Sequence, residues 1–233
     1  MRIIRRFAAG QHQYAKQKCQ VTHISQMVGS GVFFSNLNSL RHANRLRFVM
    51  SFQQSLNDSV ATISALSEME ETIKAAANLL RETLLSGQKV LICGNGGSAS
   101  DGAHFATELA CRLVADRRPY PAICLASEGG LLTATANDYG FEQVFARQVT
   151  AFGKKGDLLI AITTSGQSKN VQRALETAKQ AGLNSIALLG RDGGSCRGLA
   201  TIELLVQHSV TTRIQEAHKV LIHLLCELIE PDL

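Results

Sequence analysis

Several features that would assign a protein class are absent from this sequence of 233 residues. No apolar run approaches the roughly 18 residues that a membrane-spanning helix needs, so we expect no membrane segment. The six cysteines are scattered and include no Cys-x-x-Cys pair, which favours reduced thiols in a cytoplasmic protein. There is no internal repeat. The length, with 45% hydrophobic and 18% charged residues, is typical of one globular domain with a sizeable core.

Acidic residues are missing from the first 57 positions, which contain eight Lys or Arg. The remaining 16 basic residues, against 19 acidic ones, give the rest of the chain a net charge of −3. That balance does not indicate nucleic-acid binding. Residues 1–49 also show no sustained helical or strand periodicity, and we expect them to be disordered. Three explanations stay open: a targeting peptide, a basic arm for a nucleic acid or anionic surface, or a natural translation start at Met50.

The remaining sequence alternates between helical and strand patterns. Residues 59–86 carry apolar side chains at helical spacing and predict a long helix that ends at Ser86-Gly87. Five short apolar runs predict strands buried on both faces: 89–93, 122–125, 157–162, 185–189 and 202–206. Further helices are predicted over 100–114, 141–152, 169–181 and 212–230. The alternation predicts an α/β three-layer sandwich with a five-stranded parallel flavodoxin-like sheet and a long N-terminal helix.

Two polar loops follow predicted strands, at the edge of the sheet where α/β proteins bind ligands. The first runs from Gly94 to Ser98, and the second, rich in hydroxyl groups, runs from Thr163 to Ser168. Backbone N–H groups and hydroxyls at a helix N-terminus suit a phosphate or a sugar. Ser and Thr are also ordinary helix caps, but two such loops at neighbouring strand ends favour a binding site.

The first loop also matches the dinucleotide pattern Gly-x-Gly-x-x-Ala through Gly94, Gly96 and Ala99. A Rossmann site needs an acidic residue about 20 positions further on. The nearby candidate, Glu128, lies 34 positions past Gly94, and this interpretation gives the second loop no role. We therefore prefer a phosphate or sugar site to a dinucleotide site.

Charged and imidazole side chains recur at helical spacing after the first loop. His104, Glu108 and Arg112 are four apart in an otherwise apolar stretch, so they share one face of the predicted helix. His104 and Glu108 can act as base or metal ligands, and Arg112 can pair with Glu108 or with an anionic ligand. Gln215 and His223 lie eight apart on the last helix, about 12 Å along its axis. They reach one small ion only if long side chains converge or a second subunit contributes.

Taken together, five motifs resemble the sugar isomerase (SIS) domain family. They are Cys93–Ser98, His104-Phe105-Ala106-x-Glu108-Leu109, Ala136-Asn137-Asp138-x-Gly140-Phe141, Thr164-Ser165-Gly166-x-Ser168 and Arg213-Ile214-Gln215-Glu216-x-His218. The resemblance runs from about Phe52 to Ile229 and implies a single SIS domain over residues 50–233, with residues 1–49 an extension or a misassigned start. The chain departs from the family at Ala99, where some members have His after the Ser, and at Thr163, where Ser is usual.

Within the family, the chain is most similar to members that convert D-sedoheptulose 7-phosphate to D-glycero-D-manno-heptose 7-phosphate. That aldose–ketose isomerisation is the first step of ADP-heptose and lipopolysaccharide core heptose biosynthesis in Gram-negative bacteria. The resemblance implies a cytoplasmic homotetramer with sites near subunit interfaces, and no nucleic-acid or membrane partner. It also implies one Zn²⁺ per subunit.

The resemblance places the zinc ligands at His104, Glu108, Gln215 and His223. We expect Glu108 to be the catalytic base and His223 its partner acid, with Zn²⁺ as a Lewis acid. With the loop residue Ser98 and the cation Arg112 included, the expected substrate-binding residues are Asn95, Gly96, Gly97, Ser98, Glu108, Arg112, Asn137, Asp138, Thr163, Thr164, Ser165, Ser168 and Gln215.

Two other functions stay open. One relative with the same fold is a non-enzymatic tetramer that binds the bacterial replication initiator, and it lacks equivalents of Glu108 and His223. A sugar-phosphate-sensing SIS domain would use the same loops without any chemistry. Because this chain has both Glu108 and His223, we expect an enzyme.

Overall fold

The computed structural model describes residues 51–233, and the predictions for residues 1–49 lie outside this part of the chain. Residues 53–233 form one compact unit. Its elements are α1 Phe52–Ser64, α2 Glu70–Leu85, β1 Val90–Gly94, α3 Gly97–Ala110, β2 Ala122–Cys124, α4 Gly129–Tyr139, α5 Ala146–Phe152, β3 Leu158–Thr163, α6 Lys169–Gln180, β4 Asn184–Gly190, β5 Ile202–Val206 and α7 Thr211–Ile229. Short 3₁₀ helices cover Ala65–Met69, Phe141–Gln143, Gly194–Cys196 and Glu230–Asp232.

The five strands form one parallel sheet in the order β2-β1-β3-β4-β5. This confirms the predicted flavodoxin-like topology, which differs from the strand order of a Rossmann fold. β1 and β3 are buried along their whole length, as continuous apolar runs predict. Alternate residues of β1 point to opposite faces: Val90 and Ile92 join the core under α2, α3 and α7, whereas Leu91 and Cys93 join the core under α5 and α6.

The N-terminal helical segment is interrupted where the sequence predicts one long helix. A 3₁₀ turn over Ala65–Met69 separates α1 from α2, and Met69 has φ −104° and ψ 14°. Leu66, in the turn, and Ile73, in α2, are both buried in the same core. The apolar pattern continues through the turn because it depends on which side chains face the core. It does not distinguish a 3₁₀ turn from an α-helix.

Helix α3 ends at Ala110, four residues earlier than predicted, and Cys111 leaves the helix with φ −103° and ψ −93°. The Arg117 guanidinium donates to the Glu108 carbonyl at 2.6 Å and to the Leu109 carbonyl at 3.0 Å. These bonds satisfy carbonyls of the last turn, so the chain can leave the helix there. The prediction that Arg112 shares a helical face with Glu108 is therefore wrong.

Two further predictions about helices differ from the structure. The predicted helix over 141–152 is a 3₁₀ turn followed by the short α5. Helix α4 was not predicted, and within it only Thr135 is buried. A helix rich in Gly, Ala and Thr with so little buried surface leaves almost no apolar periodicity to detect. Among residues 51–233, no helix has the length and apolar character to cross a membrane.

Candidate active site

Polar side chains meet along the seam between α3 and α7, above one face of the sheet. His104 Nε2 lies 2.9 Å from His223 Nε2 and 3.5 Å from Glu108 Oε1. About one turn earlier on both helices, Lys219 Nζ lies 2.7 Å from Asp101 Oδ1. The structure thus brings together three of the four predicted metal ligands. The ion pair beside them was not predicted, although Asp101 and Lys219 fall at helical spacing from His104 and His223.

Gln215, the fourth predicted metal ligand, lies at the beginning of the same seam. A Cβ atom built on Gly97 would lie 2.1 Å from Gln215 Nε2, so the amide group covers the backbone of this glycine. Gly97 precedes His104 by seven residues, which is about two helical turns. The Gln215 amide and the imidazole pair therefore occupy different positions along the seam, as the spacing of Gln215 and His223 predicts.

The donor groups around His104 are of the kinds that bind zinc. Two imidazoles and a carboxylate are ordinary zinc ligands, and bonds of about 2.0–2.1 Å place neighbouring ligand atoms roughly 3.3 Å apart in a tetrahedron. The His104–His223 and His104–Glu108 distances, 2.9 and 3.5 Å, lie on either side of that value. However, residues 51–233 contain no set of three His, Cys, Asp or Glu side chains already arranged around one ion position.

The electrostatic surroundings of His104 favour a neutral imidazole. Partial burial lowers the pKa of His104, and the nearby Lys219 lowers it further, while Glu108 acts in the opposite direction. A neutral ring offers a nitrogen lone pair to a metal or to a proton. The site therefore favours the form of His104 that a metal ligand requires.

The first polar loop turns the chain from β1 into α3. Gly96 has φ 55°, a backbone conformation that glycine adopts readily. Ser98 is buried, and its N–H donates to the Asn95 carbonyl at 3.0 Å. The Asn95 and Asn170 side chains exchange two amide hydrogen bonds, each 2.9 Å long. Asn170 is buried on α6, so this pair joins the first loop to the helix that follows the second.

The second polar loop has hydroxyl groups that bond within the loop. Thr163 Oγ1 lies 3.1 Å from Ser168 Oγ and accepts the Gly166 N–H at 3.2 Å. Ser165 Oγ accepts the Gln167 N–H at 3.1 Å. Ser168 occupies the N-cap position of α6, yet its hydroxyl makes no cap hydrogen bond. The loop is therefore more than an ordinary capped turn, because this hydroxyl bonds Thr163 instead of the helix.

Three other predicted substrate residues lie in exposed positions. Asn137 and Asp138 occupy the last turn of α4, where Asn137 Nδ2 donates to Asp138 Oδ1 at 2.8 Å. Arg112 is exposed beyond the end of α3. Within residues 51–233, none of these three side chains makes a hydrogen bond to either polar loop. Their roles in binding therefore stay predictions.

The chain is similar in sequence and in structure to known sugar-phosphate isomerases. The SIS domain family matches residues 52–190. A phosphoheptose isomerase from Helicobacter pylori strain P12 is 51% identical over 166 residues, which cover 71% of this chain and 86% of that protein.

Two solved structures share both the fold and a substantial part of the sequence. The phosphoheptose isomerase GmhA from Neisseria gonorrhoeae has a TM-score of 0.71 and 38% identity, over 76% of this chain and 95% of that one. A phosphoheptose isomerase from Francisella tularensis has a TM-score of 0.71 and 37% identity, over 83% of this chain and 98% of that one. The similarity therefore covers nearly the full length of both solved structures and at least three quarters of this chain.

Proposed function

The chain belongs to the SIS domain family and is a sugar-phosphate isomerase, and we propose that it converts D-sedoheptulose 7-phosphate to D-glycero-D-manno-heptose 7-phosphate. The observation that carries this proposal is the grouping of Glu108 with two imidazoles on the α3–α7 seam. It supplies, in one place, the acid–base groups that an aldose–ketose isomerisation requires. The proposed cellular role is the first cytoplasmic step of heptose synthesis for the lipopolysaccharide core.

The proposed chemistry conserves protons and needs no oxidant or reductant. The Glu108 carboxylate removes a proton from C1 of the open-chain ketose, while the carbonyl oxygen on C2 gains a proton from His223, and an enediol results. His223 then takes the proton from the oxygen on C1, and Glu108 returns its proton to C2, which gives the aldose. General acid–base groups of this kind contribute about 10² to 10⁴ in rate.

We propose that one Zn²⁺ per subunit is held by His104, Glu108, Gln215 and His223. When bound, zinc supplies Lewis acidity to the sugar oxygens. Because the Gln215 amide lies about two helical turns from the imidazole pair, we propose that a second subunit of a homotetramer completes each site. A carboxylate bonded to a metal is a weaker base, and an imidazole nitrogen bonded to a metal carries no proton, so Glu108 and His223 would not bind zinc and exchange protons through the same atoms at the same moment.

We propose that the second polar loop binds the distal phosphate of the substrate. Ser165 and Ser168 are half-buried, and their hydroxyls, with Thr163 and the backbone N–H groups at the start of α6, are suitable donors. The first loop would bind the reacting end of the sugar through Asn95 and Gly97.

The test is turnover of sedoheptulose 7-phosphate by the full chain, followed by NMR with and without a zinc chelator. We expect product with zinc and a large loss after chelation. Glu108→Gln should lower kcat by about 10² or more, since it removes the base. Near-normal turnover by Glu108→Gln would contradict the mechanism. No turnover by a folded, zinc-loaded chain would favour the adaptor that binds the replication initiator.

A further inference from the structure

A pocket at the carboxyl ends of β4 and β5 lies apart from the α3–α7 seam. Its volume is about 610 Å³, and its lining residues are Arg191, Asp192, Arg197, Gln207, His208 and Ser209. Two guanidinium groups and one imidazole face a single carboxylate, so the lining is positively charged. A pocket of this size accommodates a small phosphorylated molecule.

Arg191 combines an unusual backbone with a side chain that has no recorded partner. Its φ of 59° makes it the only residue other than glycine with a positive φ among residues 51–233. A side chain with a Cβ seldom adopts this conformation, and such strain tends to be kept at functional sites. The residue is exposed, and its guanidinium makes no hydrogen bond or ion pair with any other residue from 51 to 233. Its donors therefore stay available to a ligand.

Neighbouring contacts hold the other lining groups in place. Arg197 Nη1 donates to the Asp192 carbonyl at 3.2 Å, which fixes the side chain over the turn after β4. The Asp192 carboxylate accepts the Gly194 N–H at 3.1 Å, so part of its acceptor capacity is already used. His208 Nδ1 accepts the Val210 N–H at 3.0 Å, which leaves Nε2 as the nitrogen that carries the proton in the neutral ring. All three basic residues can therefore donate hydrogen bonds.

We propose that Arg191, Arg197 and His208 form a second anion site, which binds the phosphate group of a small phosphorylated molecule. Guanidinium groups suit this role because they bind phosphate through two parallel hydrogen bonds. The site is distinct from the proposed substrate phosphate site, and its existence does not depend on the isomerase activity. The two sites share no lining residue but are neighbours, since the Gly166 carbonyl of the second polar loop accepts the Cys196 N–H at 3.0 Å and the Ser195 hydroxyl at 3.3 Å.

Calorimetric titration of the full chain with pyrophosphate tests the proposal. Arg191→Asn removes the guanidinium and keeps a residue that tolerates positive φ, so folding should be preserved. We expect it to weaken pyrophosphate binding by about tenfold or more, with Arg191→Lys weakening it less. Arg197→Gln, which can still donate to the Asp192 carbonyl, should also weaken binding.

The matched control is the double variant Ser165→Ala with Ser168→Ala, which alters only the proposed substrate phosphate site. Unchanged pyrophosphate binding in this variant supports the second site. Loss of binding in the serine variant alone, or no binding by the wild type at millimolar pyrophosphate, would overturn it. Parallel titrations with ADP and glucose 6-phosphate then distinguish a nucleotide from a sugar phosphate as the preferred ligand.

Discussion

Lys219 Nζ lies 2.7 Å from Asp101 Oδ1, and this ion pair joins α7 to α3 about one turn from His104. The two partners act on His104 in opposite directions, because Lys219 lowers the pKa of the imidazole and Asp101 raises it. We therefore expect Lys219→Met to raise the pKa of His104 and Asp101→Asn to lower it. NMR titration of the His104 ring in the metal-free protein measures both shifts.

These two variants control for each other, because each breaks the same ion pair. If rearrangement of the seam dominated, both would shift the pKa of His104 in the same direction, and the electrostatic explanation would fail. The two partners are only partly exposed, with 38% of the Lys219 side chain and 10% of the Asp101 side chain accessible. Added salt should therefore screen the shifts only weakly.

Gly97→Ala is expected to displace Gln215 without unfolding the protein. The added Cβ would lie 2.1 Å from Gln215 Nε2, which is the far end of a flexible side chain that can move away. Alanine also favours the helix that begins at this residue. We expect the free energy of unfolding to be kept and kcat/KM for the sugar phosphate to fall by about tenfold or more, since misplaced site residues are costly.

Gly129→Ala provides the matched control for this variant. Gly129 also begins a helix, α4, but a Cβ there meets no atom within 4 Å. Its substitution should leave kcat/KM unchanged and stability equal or slightly higher. If both variants left activity intact, the contact of Gln215 with Gly97 would have no part in the reaction.

The topology could be predicted from the sequence because buried parallel strands are nearly all apolar. Each of the five strand predictions agrees with the structure within one residue at either end, for example 202–206 with Ile202–Val206. The pairing of His104 with Glu108 also follows from their spacing on one helix. Local patterns of this kind carry enough information for elements and for contacts within them.

Contacts between elements could not be predicted in the same way. Asp101 and Lys219 are distant in sequence, and their pairing depends on how α3 and α7 lie against each other. The end of α3 was misplaced because the Arg117 side chain, from beyond the helix, satisfies its last carbonyls. Arg112 therefore lies beyond the end of α3, and not on the helical face of His104 and Glu108 that its spacing predicts.

Asn170 was also missed, and it gives a direct test of how the two polar loops are held together. Its side chain exchanges two hydrogen bonds with Asn95, and its Oδ1 also accepts the Val171 N–H at 2.9 Å. Asn170→Ala should free the Asn95 amide from its position and raise KM more than it lowers kcat, if the first loop binds the sugar. Steady-state kinetics with sedoheptulose 7-phosphate measures this difference.

Gln172→Ala, on the same helix, is a suitable control for Asn170→Ala. The Gln172 amide bonds to Glu176 at 2.9 Å within α6 and touches neither polar loop through a recorded hydrogen bond. It should leave KM unchanged. A normal KM in Asn170→Ala would show that the amide pair stabilises the fold without positioning a substrate group.

His218 should make stability depend on pH. The ring is fully buried on α7, and its Nε2 lies 3.2 Å from the Leu189 carbonyl. The buried Nδ1 has no hydrogen-bond partner among the described residues. Burial lowers the pKa of His218 to about 4, and the bond to Leu189 opposes this only in part. The ring is therefore neutral at pH 7 and donates from Nε2.

The direction of the pH effect follows from which state binds the extra proton. Between the usual pKa of 6.5 and the folded value of about 4, the unfolded chain binds a proton at His218 that the folded chain does not. Stability is therefore complete above about pH 6.5 and falls as the pH drops through that window. At about 1.4 kcal/mol per pH unit, this residue alone accounts for a loss of roughly 3 kcal/mol by pH 4.

Urea unfolding between pH 4.5 and 7.5 measures the effect, with His218→Gln for comparison. The glutamine amide can still donate to the Leu189 carbonyl but does not titrate, so the variant should lose less stability than the wild type as the pH falls. Subtracting the two curves removes contributions from every other histidine. Parallel curves for the two proteins would show that His218 has the same pKa in the folded and unfolded states, and the burial argument would then be wrong.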